Sequence, residues 1–274
     1  MTNDQPAPSQ IDTRLPHSAR MYDYWLGGSS NFAADRALGQ AFEQAIPSIR
    51  TMAMENRRFL GRAVRYMAGE AGIRQFLDIG TGVPAAGDTH SVTGIVAPDS
   101  RVVCVDNDPI VQAHAEFHAD SLTDGDGRGR TVYLQADLRR PEEILRSPAL
   151  TGTLDLEQPV GLLLVAMLML VSDREDPWAA VTTLLDALPA GSHVAVTHPS
   201  QDFNPEAMAD VVRAAEQGRM TLVPRDRSQV ERFFGDWELV DPGMVPVMGW
   251  RPEGEPPEDL NAAYYWAGVA RKKA

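Results

Sequence analysis

The stretch R-Q-F-L-D-I-G-T-G-V, Arg74–Val83, restricts the fold more than any other part of the chain. An apolar run ends in Asp78, and Gly80 and Gly82 follow before a helical pattern begins. A strand, a tight glycine turn and a helix start form the arrangement that lets backbone N–H groups approach a nucleotide-like ligand. Glycine is needed because a Cβ would hold the ligand away or forbid positive φ. Two ligands suit such a turn: a dinucleotide and S-adenosylmethionine.

Gly80-x-Gly82-x-x-Ala85 satisfies the dinucleotide fingerprint, with Asp106 roughly 20 residues further on for a ribose. Asp78 points the other way. A carboxylate beside a pyrophosphate would repel it, whereas it suits the ammonium and sulfonium of S-adenosylmethionine. Two more acidic strand ends follow in order: Asp106 after R-V-V-C-V and Asp137 after T-V-Y-L-Q-A. One such aspartate would be read as a helix or turn cap. Three in register with a glycine turn favour S-adenosylmethionine, with Asp78 at the methionine end, Asp106 at the ribose and Asp137 at the adenine amine.

The chain has 274 residues, enough to bury a full core, and ordinary proportions of hydrophobic (43%) and charged (23%) residues. Its net charge of −13 argues against general attraction to nucleic acid or anionic membrane. Arg57, Arg58, Arg62 and Arg65 form the one basic cluster and read as the solvated face of a helix. Cys104 is the sole cysteine, so no internal disulfide or thiolate metal site can form, and its apolar neighbours place it in a buried strand. The longest apolar run, Pro159–Val171, is too short to span a bilayer and suits a central strand. The N-terminus has no basic segment leading into an apolar one, so a cytoplasmic protein is expected.

Residues 1–15 read as a polar arm and residues 16–72 as an N-terminal helical cap on a single domain covering 1–274. Within the cap, two helical segments break near Pro47, and the second places Ile49, Met52, Phe59, Leu60, Ala63, Val64 and Met67 on one face, ending at Gly69 or Gly72. Strands are expected at Gln75–Ile79, Val102–Asp106, Thr131–Gln135, Val160–Leu168 and His193–Thr197. Helices over Pro109–Asp120 and Pro177–Leu188 alternate with them. This pattern gives an α/β fold with a mostly parallel sheet covered on both faces. Trp237–Val240 and Tyr264–Ala270 close the sheet, joined by a proline-rich connection, M-G-W-R-P-E-G-E-P-P-E-D, read as a functional loop or an exposed turn.

With these blocks in place, the chain resembles a family of predicted S-adenosyl methyltransferases first catalogued as a domain of unknown function. The resemblance rests on Ser18–Arg36 (S-A-R-M-Y-D-Y-W-L-G-G-S-S-N-F-A-A-D-R), Asn56–Ala68 and Arg74–Pro84. Val103–Pro109, Ala136–Pro141, Leu188–His198 and Leu239–Val247 extend it. It implies a Rossmann-like class I methyltransferase fold with seven strands, mostly parallel, the last antiparallel, but no substrate. This chain departs at two positions. Ala85 stands where relatives more often have Thr, and L-M-L-V-S-D replaces L-H-F-V-P-D, so Met169 occupies a histidine position.

For the cofactor we assign Asp78 and the Gly80–Thr81–Gly82 backbone to the methionine end. Asp106 and Asn107 go to the ribose, Asp137 and the Leu138 N–H to the adenine. Pro84 would open the following helix. Tyr22, Tyr24 and Trp25, near the Gly27-Gly28 pair in the block Tyr22–Asn31, form either a lid or a stabilising plug. His198 and Asp173, at the ends of the fifth and fourth strands, are the candidate bases, His198 being the stronger. Otherwise His198 holds a loop. His114 and His118 share a helix face around Glu116, but without a third ligand they read as solvated, and no metal is expected. Met167, Met169 and Trp178 line a substrate pocket or belong to the core.

The leading reading is methyl transfer to an O or N nucleophile of a small organic molecule. A non-catalytic S-adenosylmethionine-binding module and a nicotinamide-dependent oxidoreductase are the alternatives. No nucleic-acid or membrane partner is expected. Small enzymes of this class often form homodimers, yet no apolar stripe marks an interface.

Overall fold

A computed structural model describes residues 12–111, 113, 130–255 and 257–273. Most of the expected helix over 109–120, with His114, Glu116 and His118, lies outside the described residues, as does most of the N-terminal arm. Three helices precede the sheet: α1 (Ser18–Trp25), α2 (Ala33–Ala45) and α3 (Ile49–Arg65). The α2–α3 break falls at Pro47, and α3 runs on through a π turn (Tyr66–Glu70) until Gly72 adopts φ +72°.

The strands are β1 (Gln75–Ile79), β2 (Arg101–Asp106), β3 (Arg130–Gln135), β4 (Gly161–Val165), β5 (His193–Pro199), β6 (Glu238–Leu239), β7 (Val245–Pro246) and β8 (Tyr265–Arg271). Their order is β3-β2-β1-β4-β5-β8-β6, with β7 also paired to β8. β1 to β5 are parallel, and β8 runs antiparallel to β5, β6 and β7. This is the mostly parallel sheet the resemblance implied, with a two-residue β7 added. The remaining described helices are α4 (Thr89–Val96), α5 (Pro141–Arg146), α6 (Pro148–Thr151), α7 (Pro177–Asp186), α8 (Pro205–Gln217) and α9 (Arg227–Glu231).

Alternation along the strands divides the core between the two faces. Phe76, Cys104, Leu163 and Ala195 join Phe59 and Ala63 of α3 and Met67 of the π turn on one side. Leu77, Val103, Leu162, Leu164 and Val194 pack with the α7 residues Val181 and Leu184 on the other. Both sets are fully enclosed, which is why the strands read as continuous apolar runs.

Three expectations change. Pro84 does not open a helix: α4 starts at Thr89, after Asp88 caps it by accepting from the Ser91 N–H at 2.8 Å. The glycine turn therefore leads into a loop. The proline-rich connection is anchored at its start, where Trp250 is completely buried, edge-on to Phe59 at 5.3 Å, and is an exposed turn only from Glu253 on. Arg62, read as solvated, is buried and donates to the Trp250 and Val247 carbonyls at 2.8 and 2.7 Å.

Candidate active site

A cavity opens over the C-terminal ends of β1, β2 and β4, roofed by α1 and α3 and walled on one side by α8. Open parallel sheets bind ligands at this edge. Asp78, Gly80, Thr81, Gly82, Asp106, Asn107, Asp137, Leu138, Tyr22 and Met169 all line it.

Gly80 and Gly82 take φ +77° and +71°, values that L side chains rarely adopt. A Cβ on Gly80 would lie 2.6 Å from Met167 Cβ, whereas one on Gly82 would meet open space. The backbone N–H groups of the turn are used within the protein. Gly80 and Thr81 donate to the Val105 carbonyl at 2.8 and 3.1 Å, and Gly82 to Asp106 Oδ2 at 2.9 Å. The glycines thus shape the cavity and fix Asp106, rather than offering a row of donors to a phosphate.

Asp78 is buried and accepts from the Thr89 and Thr81 hydroxyls at 2.7 and 3.2 Å. Burial still pushes its carboxyl up to about 6, against the pull of those hydroxyls and of Arg57. Arg57 lines the same cavity, and its Nε is buried without a partner. A buried carboxylate and a guanidinium whose Nε has no acceptor among the described residues fit the ammonium and carboxylate of an amino-acid ligand. Asp106, also raised by burial, receives the Gly82 and Asp108 N–H groups. Asp137 is held below the usual carboxylate range by Arg139, which donates to it at 2.9 Å and reaches Glu175 at 2.7 Å.

A family described as S-adenosyl methyltransferase matches residues 4–273. The chain belongs to this family. A solved DUF574-family protein from Streptomyces avermitilis shares 40% identity, covering 96% of this chain and all of that one, with a TM-score of 0.91. A methyltransferase candidate from Thermobifida fusca is 39% identical over 97% and 98% of the two chains, at a TM-score of 0.86. Magnesium protoporphyrin IX methyltransferase from Synechocystis, solved with bound SAH, is 12% identical over 92% and 93%, at 0.54, and shares the fold. Among proteins of curated function, none matches. The fold is therefore that of a class I methyltransferase, and S-adenosylmethionine is the cofactor.

In this methyltransferase neither nominated base reaches the cavity. His198 is fully buried, with Nδ1 against the Pro199 carbonyl at 2.8 Å and Nε2 against Arg225 Nη1 at 2.9 Å. Because arginine only donates, Nε2 is the acceptor and Nδ1 carries the proton. Burial, with the neighbouring Arg225, holds the ring down to about 3. Asp173 pairs with Arg225 Nη2 at 2.7 Å and its side chain is half exposed. Both residues serve a clamp centred on Arg225, which also donates to the Leu168 and Val171 carbonyls. Tyr24 is likewise off the cavity; its ring packs against Gly39 and beneath Arg50, 4.6 Å from the guanidinium carbon. Trp178 stacks on Phe233 at 5.5 Å, on the far side of the sheet.

Two functional residues escaped the sequence reading. Arg57 lies at the border of the α3 apolar stripe, three residues before Leu60 and next to the exposed Arg58. Asn56 lies inside the stripe, buried, and accepts from the Thr197 hydroxyl at 2.6 Å while donating to the Tyr22 hydroxyl at 2.9 Å. Thr197 Oγ1 in turn accepts from the N–H of Ala166, a non-glycine residue at φ +53° that lines the cavity. A polar residue among Met52, Phe59 and Leu60 was the available signal. The network ties the cap to the end of β4 and holds Tyr22 in the roof.

Proposed function

We propose that the protein seats the methionine end of S-adenosylmethionine between Asp78 and Arg57, the ribose on Asp106 beside Asn107, and the adenine by Asp137 and the Leu138 N–H. The methyl acceptor is a small organic molecule with an O or N nucleophile, held in the remainder of the cavity. The observation that carries this reading is the composition of one continuous wall: three strand-end carboxylates and Arg57 at one end, apolar side chains at the other. The cofactor supplies an electrophilic methyl group. The chain has only to place a nucleophile in line at about 3–3.5 Å and keep water out. Tyr22, held by Asn56 and the Ala53 carbonyl, forms part of the roof that does so.

Calorimetric titration with S-adenosylmethionine, S-adenosylhomocysteine and NAD tests the reading. Selective binding of the first two is expected, with loss in Asp106→Ala. Tighter binding of NAD, or undiminished binding by that variant, would overturn the site assignment.

A further inference from the structure

The acceptor end of the cavity deepens this proposal, and the argument rests on the methyl-transfer reading. Trp25, Ile46, Met52, Met208, Leu222 and Tyr265 wall it, contributed by α1, α3, α8, the first residue of β8 and the connections that follow α2 and α8. β8 lies three strands from β1 in the sheet order, about 14 Å at the usual strand spacing. The acceptor end is therefore well separated from Asp78 and Asp106.

Its polar inventory is short. Tyr22 donates to the Ala53 carbonyl at 2.8 Å and accepts from Asn56, and both ends of the Asn56 amide are engaged. Arg57 stands near Asp78. His198 and Asp173 are held in the Arg225 clamp. Tyr265 remains: it is buried and lines the cavity. Burial pushes its phenol far up, so it stays a neutral donor at any working pH. Trp25 and Phe42, with ring centroids 5.8 Å apart, line the same wall, and Met21, Met52, Met208 and Met220 surround it. Methionine and aromatic surfaces of this kind adapt to flat apolar ligands.

A charged acceptor would lose its hydration here without gaining a partner, and a polyhydroxylated one would leave most of its hydroxyls unsatisfied. We infer that the acceptor is an uncharged, mainly apolar, ring-bearing molecule with one hydroxyl or amine, and that Tyr265 positions it by donating a hydrogen bond to that heteroatom. Tyr265 is a positioning and specificity residue; no described side chain at this end is a base, so as the methyl passes from the sulfonium to the heteroatom and leaves S-adenosylhomocysteine, the heteroatom's proton goes to solvent on product release.

The full chain, saturated with S-adenosylhomocysteine, is titrated with 1-naphthol, 1-naphthoate and naphthalene. Cofactor-product binding is measured first and reports folding and the cofactor site separately. Expected results are binding of 1-naphthol at least tenfold tighter than 1-naphthoate, and about fivefold weaker 1-naphthol binding in Tyr265→Phe with naphthalene unchanged. Leu222→Arg should remove 1-naphthol binding while the variant still binds S-adenosylhomocysteine. Equal binding of naphthoate, no binding of naphthol to the loaded protein, or an equal effect of Tyr265→Phe on naphthol and naphthalene would overturn the inference and leave the cofactor site standing. Failure to bind S-adenosylhomocysteine at all would sink the underlying reading instead.

Discussion

In the proposed site Asp78 would hold the ammonium and Arg57 the carboxylate of the cofactor, and each makes a separate prediction. With its carboxyl raised to about 6, Asp78 is charged at neutral pH and protonates as the pH falls through that value. Affinity for S-adenosylhomocysteine, whose ammonium needs the charged form, should fall by up to about tenfold per pH unit below 6. Calorimetry from pH 8 to 5 checks this, and Asp78→Asn should bind weakly with a flattened profile. For Arg57, 5′-methylthioadenosine is the discriminating ligand because it lacks the amino-acid moiety. Arg57→Ala should weaken S-adenosylhomocysteine by about 10–100-fold, the range for a lost charged hydrogen bond, and leave methylthioadenosine unaffected. An equal loss for both would place Arg57 elsewhere. Asp78 was legible because it ends an apolar run. Arg57 was not, since a residue at the edge of a helical stripe shows its direction only once the neighbouring element is in place.

Among the elements, the short segment after β4 depends most on a single distant side chain. Leu168–Leu170 forms one 3₁₀ turn, too short to hold itself, and Met169 is fixed through its carbonyl by the Val223 N–H at 2.8 Å. Arg225 completes the attachment. It is fully buried, with its guanidinium carbon 5.0 and 5.5 Å from the Trp178 and Phe233 ring centroids and its nitrogens bonded to Leu168, Val171, Asp173 and His198. Arg225→Met should cost about 3–5 kcal/mol, because it strands two carbonyls and a ring nitrogen in the core. Arg225→Lys should recover little, since a point charge cannot serve a fork of partners. Urea midpoints for both variants provide the check, and a Lys variant of wild-type stability would refute the clamp. The sequence placed His198 and Asp173 at strand ends, as found. Their shared partner, more than twenty residues further along the chain, left no local trace.

Over the whole molecule, acid should be destabilising through buried neutral imidazoles. His193 and His198 are held down to about 4 and about 3 by burial, whereas in the unfolded chain each takes a proton near 6.5. Their contribution is complete above pH 6.5 and is lost progressively as the pH falls below it. Asp78, Asp35 and Asp106 act in the opposite sense, because burial raises their carboxyls and protonation relieves that cost as the pH drops. The share of the imidazoles is read by comparison with His198→Gln: the fall in unfolding free energy between pH 7 and 4 should be smaller in that variant by up to about 1.4 kcal/mol per pH unit, and an equal fall would contradict it. At this scale the strands β1 to β5, the closing strand β8, the cap helices and the three strand-end aspartates were readable in advance. Each is signalled by a local pattern: an apolar run, a helical stripe, a glycine turn, an acid after a strand. The sequence by itself determined the sheet and its acidic C-terminal edge. Tertiary structure decided where the basic and catalytic candidates point. It turned His198 and Asp173 into a clamp, Arg62 and Trp250 into core, and Arg57, Asn56 and Tyr265 into the working walls of the cavity. Local periodicity fixes which residues are buried, but a buried polar side chain takes its role from partners brought together only by folding.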